Sequence, residues 1–155
     1  MIVPMSMLLS VIPAAWLETA GRFHVVIVHF PIALLLLAGA IEFWRSVRRS
    51  NKPSNTAIVC LVLGAVSAIA SSVLGWIHKG YTGFSANNPT LLWHEWLGIA
   101  AATVATLAIV LLLLRHKTLI PYRLTTILAA LLVGVTGHFG GTLTHGPGYL
   151  TELLF

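Results

Sequence analysis

The chain has 155 residues, 57% of them hydrophobic and only 8% charged, which excludes a soluble domain as the starting class and points to an integral membrane protein. Its formal charge of +5 comes from nine Lys and Arg against four Glu and no Asp; in a membrane chain such an excess reports topology rather than nucleic-acid binding. The single cysteine, Cys60, excludes an intramolecular disulfide and a cysteine metal cluster, and the absence of a phosphate loop or a Ser, His and Asp set argues against soluble nucleotide or hydrolase chemistry.

In chain order, Met1 to Trp16 is apolar but has no Lys or Arg before Arg22, so the basic start of a signal peptide is missing. Pro4 and Pro13 make it a poor spanning helix. Residues 1–21 therefore read as a retained interfacial segment and residues 22–155 as a transmembrane domain. The first span is expected over residues 23–44, stopped by Arg45, Arg48, Arg49 and Lys52, with Pro31 inside it as a kink. The second is expected over residues 56–77; Gly64, Ala68 and Ser72, with Ser67, Ser71 and Gly75 alongside, recur at four-residue spacing and admit a close helix neighbour. The third, over residues 91–114, opens with LLWHEWLG, whose Trp93 and Trp96 suit the membrane interface, as does Trp76. The fourth, over residues 121–143, begins at Pro121 and ends in GHFGGTLTHGPGYL. Each run has the ~20 residues needed to cross hydrocarbon. The fold class is all-α, an integral membrane four-helix bundle.

Basic residues lie between spans one and two and around the turn between three and four, where Arg115, Lys117 and Arg123 fall. The positive-inside rule then puts both turns in the cytoplasm and both termini in the periplasm. The expected location is the bacterial inner membrane.

The seven histidines carry the functional signal. His24, His29, His78, His94, His138 and His145 all fall toward the periplasmic side, and only His116 is cytoplasmic. At ~1.5 Å of rise per residue, His29 and His138 lie about 24–25 Å from the cytoplasmic helix ends, and His24, His94, His78 and His145 about 31–36 Å. His24 and His29, five residues apart, are turned by about 140° from each other and are expected to serve different sites.

Imidazole is the natural axial ligand of haem iron, and a four-helix bundle can hold a porphyrin between facing helices. His29 with His138 is the expected inner pair and His94 with His145 the outer pair, for one or two haems b; His24 and His78 are additional ligands. Gly134, Gly137 and Gly141 leave room on span four for a flat macrocycle or for a neighbouring helix. Glu95 is a candidate orienting partner for an imidazole. Glu42, still inside the apolar run, is expected to pair with Arg45 or Arg123; a quinone-linked proton role is the other reading. For the histidine set the competing readings are another metal such as copper or zinc, or structural and proton-handling roles.

The segments RFHVVIVHFPIALLLLAGAIE, LLWHEWLGI and GHFGGTLTHGPGYL resemble the domain of unknown function 2231 family of bacterial membrane proteins, over about Arg22 to Leu150. The resemblance implies four spans, two early histidines in an H-x4-HFPIAL pattern (His24 and His29) and a histidine opening the third helix (His94). Related domains are often fused to or encoded near c-type cytochrome modules, which implies periplasmic electron transfer. This chain has no CxxCH haem attachment site, so such a cytochrome would be a separate partner.

The expected function is a haem b electron-transfer subunit. It would link a periplasmic cytochrome or dehydrogenase to quinone or a larger respiratory or photosynthetic complex, rather than act as an enzyme alone. The alternative is a cofactor-free structural or assembly subunit. A transporter is disfavoured by four spans with no internal repeat.

Overall fold

The computed structural model describes residues 13–85, 87–114 and 118–148. The expected interfacial segment therefore falls largely outside the described residues, as do Arg115, His116 and Lys117.

Pro13 introduces the first helix, α1 (Ala14–Arg22), where its fixed φ and missing N–H suit a helix start. After Phe23 the chain continues as α2 (His24–Ile27) and α3 (His29–Val47). Phe23 and Val28 both keep right-handed helical dihedrals, so the three pieces form one 34-residue rod from Ala14 to Val47. The interruption at Val28 has a covalent cause: Pro31 has no N–H to give the Ile27 carbonyl four residues back. α3 closes through the Ser50 N–H to Arg45 O and the Arg49 N–H to Ser46 O, both 3.0 Å, a Schellman closure with Arg49 in the left-handed region at φ 50.

Three further helices follow. The Ser54 hydroxyl caps α4 (Asn55–Lys79) by accepting from Ala57 N. Asn88 Oδ1 caps α5 (Pro89–Leu113) by accepting from Thr90 N at 3.0 Å and Leu91 N at 3.3 Å. α6 (Ile120–His145) begins with Pro121 in its first turn. The rod, α4, α5 and α6 are each long and apolar enough to cross a membrane; 25 residues of helix span about 37 Å against ~30 Å of hydrocarbon. No strand occurs among the described residues.

Each long helix packs on its sequence neighbours, and α6 closes the ring against α3. This is an up-down-up-down bundle in which all four helix ends carrying histidine lie together. α1 and α2 pack on α4. The core is built of Leu35, Leu61, Tyr122 and Val133 with many alanines, among them Ala38, Ala65, Ala101, Ala105, Ala108 and Ala129. Small residues suit a bundle in lipid, where close backbone approach replaces the hydrophobic effect as the source of association. At two crossings only glycine fits. A Cβ on Gly39 would collide with Ala130 Cβ on α6, and one on Gly64 would lie 2.7 Å from Leu35 Cδ2. Leu36, Leu63, Val66, Leu107 and Leu131 face outward, an apolar surface suited to lipid. The hydroxyls of Ser67, Ser72, Thr103, Thr106 and Thr136 each bond the carbonyl four residues back, so these five are satisfied within their own helices.

At the end opposite the histidines, Glu42 is fully buried. Its Oε1 accepts from Ser54 N at 2.8 Å and its Oε2 from Arg123 Nε at 3.0 Å. Arg123 Nη2 also reaches Ser50 O at 2.8 Å. Arg45 takes Ser50 Oγ and Lys52 O, both at 2.7 Å. Of the two arginines expected for Glu42, Arg123 is the one it pairs with, and Arg45 grips the loop instead.

Candidate functional site: an imidazole cluster between two clamped hairpins

His24 enters the bundle where the rod leans on α4. Its Nδ1 lies 2.8 Å from Ser71 O and 3.3 Å from Ser71 Oγ. The carbonyl can only accept, so Nδ1–H is the donor and the lone pair of the neutral ring is on Nε2. The ring lies over Gly75, where a Cβ would come within 2.9 Å of His24 Cε1. His94 repeats the arrangement on the other hairpin. Its Nδ1–H donates to Thr136 O at 3.0 Å, and the ring lies over Gly140, where a Cβ would come within 3.0 Å of His94 Cε1.

The two clamps share a pattern: a Ser or Thr whose carbonyl is taken by imidazole, and a glycine four residues later under the ring. The imidazole comes in each case from the preceding long helix, 47 residues before Ser71 and 42 before Thr136. The chain is thus two α-hairpins repeating one device, which linear comparison of the spans conceals.

The clamped rings meet edge to face. His24 and His94 have centroids 6.0 Å apart at an interplanar angle of 83°. His78 lies 6.3 Å from His24 at 27°, and its Nδ1 is buried with no hydrogen-bond partner among the described residues. At His78 the backbone of α4 is approached by α1, since a Cβ on Gly21 would lie 3.0 Å from His78 Cα. No hydrogen bond reaches Nε2 of His24 or His94 among the described residues. With Nδ1–H committed to a carbonyl, each ring keeps the Nε2 lone pair available to a ligand. Beside the cluster, Lys79 Nζ and a Glu95 carboxylate oxygen form an ion pair at 2.6 Å, with Lys79 5.5 Å from the Trp76 ring centroid. Glu95 stands next to His94, yet the group that orients the His94 ring is the Thr136 carbonyl.

The remaining sequence candidates lie elsewhere at the same end. His29 is exposed, with Nδ1 3.3 Å from Val26 O. His138 is exposed and meets Phe139 edge-on at 5.9 Å. His145 is exposed, with Nδ1 2.7 Å from Thr144 Oγ1 and 3.2 Å from Gly141 O. Gly134 and Gly137 make ordinary contact distances toward Leu36 and Ile32 of α3. The glycines that admit imidazoles are Gly75 and Gly140, not those expected to pack a cofactor. The detectable signal was Ser/Thr-x3-Gly near the histidine end of both return helices. Among the described residues no group of three or more His, Cys, Asp or Glu is arranged to hold a metal ion, so the clamped rings offer themselves as a pair rather than a three-ligand ion cage.

Residues 22–151 match the family described as "Predicted membrane protein (DUF2231)". No curated protein and no solved structure matches the chain.

Proposed function

Starting from a chain that belongs to the DUF2231 family of predicted membrane proteins, we propose that it is a haem b electron-transfer subunit whose haem iron would be held by His24 and His94. The observation that carries this reading is the double clamp. Both imidazoles commit Nδ1–H to a backbone carbonyl and keep Nε2 for a ligand, the arrangement that fixes tautomer and ring direction in histidine ligands generally. The spacing is compatible as well. The two ring centroids stand 6.0 Å apart in an edge-on arrangement, within reach of one metal ion that would bond each ring at about 2 Å.

Haem would supply one-electron chemistry at the histidine end of the bundle. The chain's own residues do the rest. Ser71 and Thr136 hold the rings by their carbonyls, and Gly75 and Gly140 give the rings room against the helices. The Lys79–Glu95 ion pair ties α4 to α5 beside the cluster. In this reading the histidine end faces the periplasm of a bacterial inner membrane, with both termini there. The support is the basic loop at the opposite end, carrying Arg45, Arg48, Arg49 and Lys52. Electrons would pass between a periplasmic c-type cytochrome or dehydrogenase and quinone or a larger membrane complex.

The test is a reduced-minus-oxidised spectrum of the purified chain with haem quantified as its pyridine complex. A b-type α band at one haem per chain is expected. A colourless protein after expression with ample haem would end this reading in favour of a cofactor-free structural or assembly subunit.

A further inference from the structure

At the opposite end of the molecule, we infer that the α3–α4 loop is a binding site for an anionic phospholipid. Its phosphate is held by Arg48, Arg49 and Lys52, and its acyl chains lie along the outer face of α3. Nothing in this proposal depends on the histidine site.

Five cations gather at this loop, and two are committed inward. Arg45 and Arg123 spend their donors on Ser50 and Lys52 backbone oxygens, the Ser50 hydroxyl and buried Glu42. Arg48, Arg49 and Lys52 are exposed and make no ion pair among the described residues. The inward bonds hold the loop backbone, so the outward cations project from a fixed frame. Arg48 also stacks its guanidinium 4.8 Å over the Trp44 ring. Immediately toward the bundle centre, Phe43, Trp44 and Val47 are 57%, 57% and 60% exposed. An apolar, aromatic strip ending in cations is the sequence of chemistry that a phospholipid presents from tail to phosphate.

Arg49 adds an independent observation. It occupies the left-handed position of the Schellman closure at φ 50, where glycine is the unstrained residue. A cationic side chain kept at a position that favours glycine points to a use for the guanidinium that outweighs the strain. Phosphate recognition by arginine supplies that use.

The experiment is native mass spectrometry of the full chain in micelles doped with equimolar phosphatidylcholine and phosphatidylglycerol. Wild type is expected to retain phosphatidylglycerol in excess, at roughly fivefold per engaged cation. Arg48→Gln, Arg49→Gln and Lys52→Gln combined should bring the two lipids to parity, while Arg22→Gln at the other end should change nothing. Arg49→Gly separates binding from folding: its thermal midpoint should equal or exceed wild type while its phosphatidylglycerol excess falls. Parity in wild type, an undiminished excess in the triple variant or in Arg49→Gly, an equal loss in Arg22→Gln, or displacement of the lipid by inorganic phosphate would overturn the proposal.

Discussion

Gly75 and Gly140 are the residues on which the geometry of the imidazole pair turns. Each lies under a ring at a distance no Cβ could share without moving it. Alanine gains ~1 kcal/mol of helix propensity over glycine, which offsets much of the ~1–3 kcal/mol that overpacking costs. Gly75→Ala and Gly140→Ala should therefore leave the fold within about 2 kcal/mol of wild type but displace His24 and His94 respectively. Histidine 15N shifts of the cofactor-free protein read this directly. Wild type should show both rings protonated on Nδ1, and each variant should release one ring only; unchanged tautomers in both variants would remove the positioning role. At this scale the sequence was informative about depth and silent about direction. Counting helical rise puts His24, His78, His94 and His145 in one layer; the structure brings the first three together and leaves His145 exposed beside Thr144. Rise per residue carries no information on which helix face meets which neighbour. His29, five residues from His24, is thus exposed while His24 is clamped. The glycines behave the same way: Gly134 and Gly137 face α3, whereas Gly140, three residues beyond Gly137, meets His94.

Among the elements, the loop between α3 and α4 is held by one buried charge. Glu42 is 0% exposed and the Arg123 side chain 11%, and Glu42 also satisfies the first free N–H at Ser54. Removing either partner leaves a buried charge alone, so Glu42→Ala and Arg123→Ala should each destabilise by about 3–5 kcal/mol. The double variant should cost less than their sum, a coupling that unfolding in a detergent gradient would measure and strict additivity would refute. The Lys79–Glu95 pair is more exposed, with side chains at 29% and 16%. Glu95→Gln should therefore cost only about 0.5–1 kcal/mol and lose that cost at high salt; a loss of several kcal/mol would show that the pair does more than tie α4 to α5. Four long apolar helices were legible from run length and hydropathy alone, and Pro31 marks a real interruption, at Val28. The helical continuation through Ala14–Arg22 was not legible. Pro13 counts against a helix that contains it but favours one that starts just after it, and that distinction needs the boundary.

As a whole molecule the chain separates its charge by end. At the histidine end the described ions are paired as Glu18 with Arg22 and Lys79 with Glu95, while the opposite end presents Arg48, Arg49 and Lys52 outward. The paired end holds a repeated clamp from two hairpins, and that repeat makes one site from four helices. The most direct test of the account is therefore a set of four variants in a reduced-minus-oxidised spectrum. His24→Ala and His94→Ala should each abolish the b-type α band, and His29→Ala and His138→Ala should each retain it at wild-type intensity. A band that survives loss of His24 or His94 and disappears with His29 or His138 would contradict the assignment.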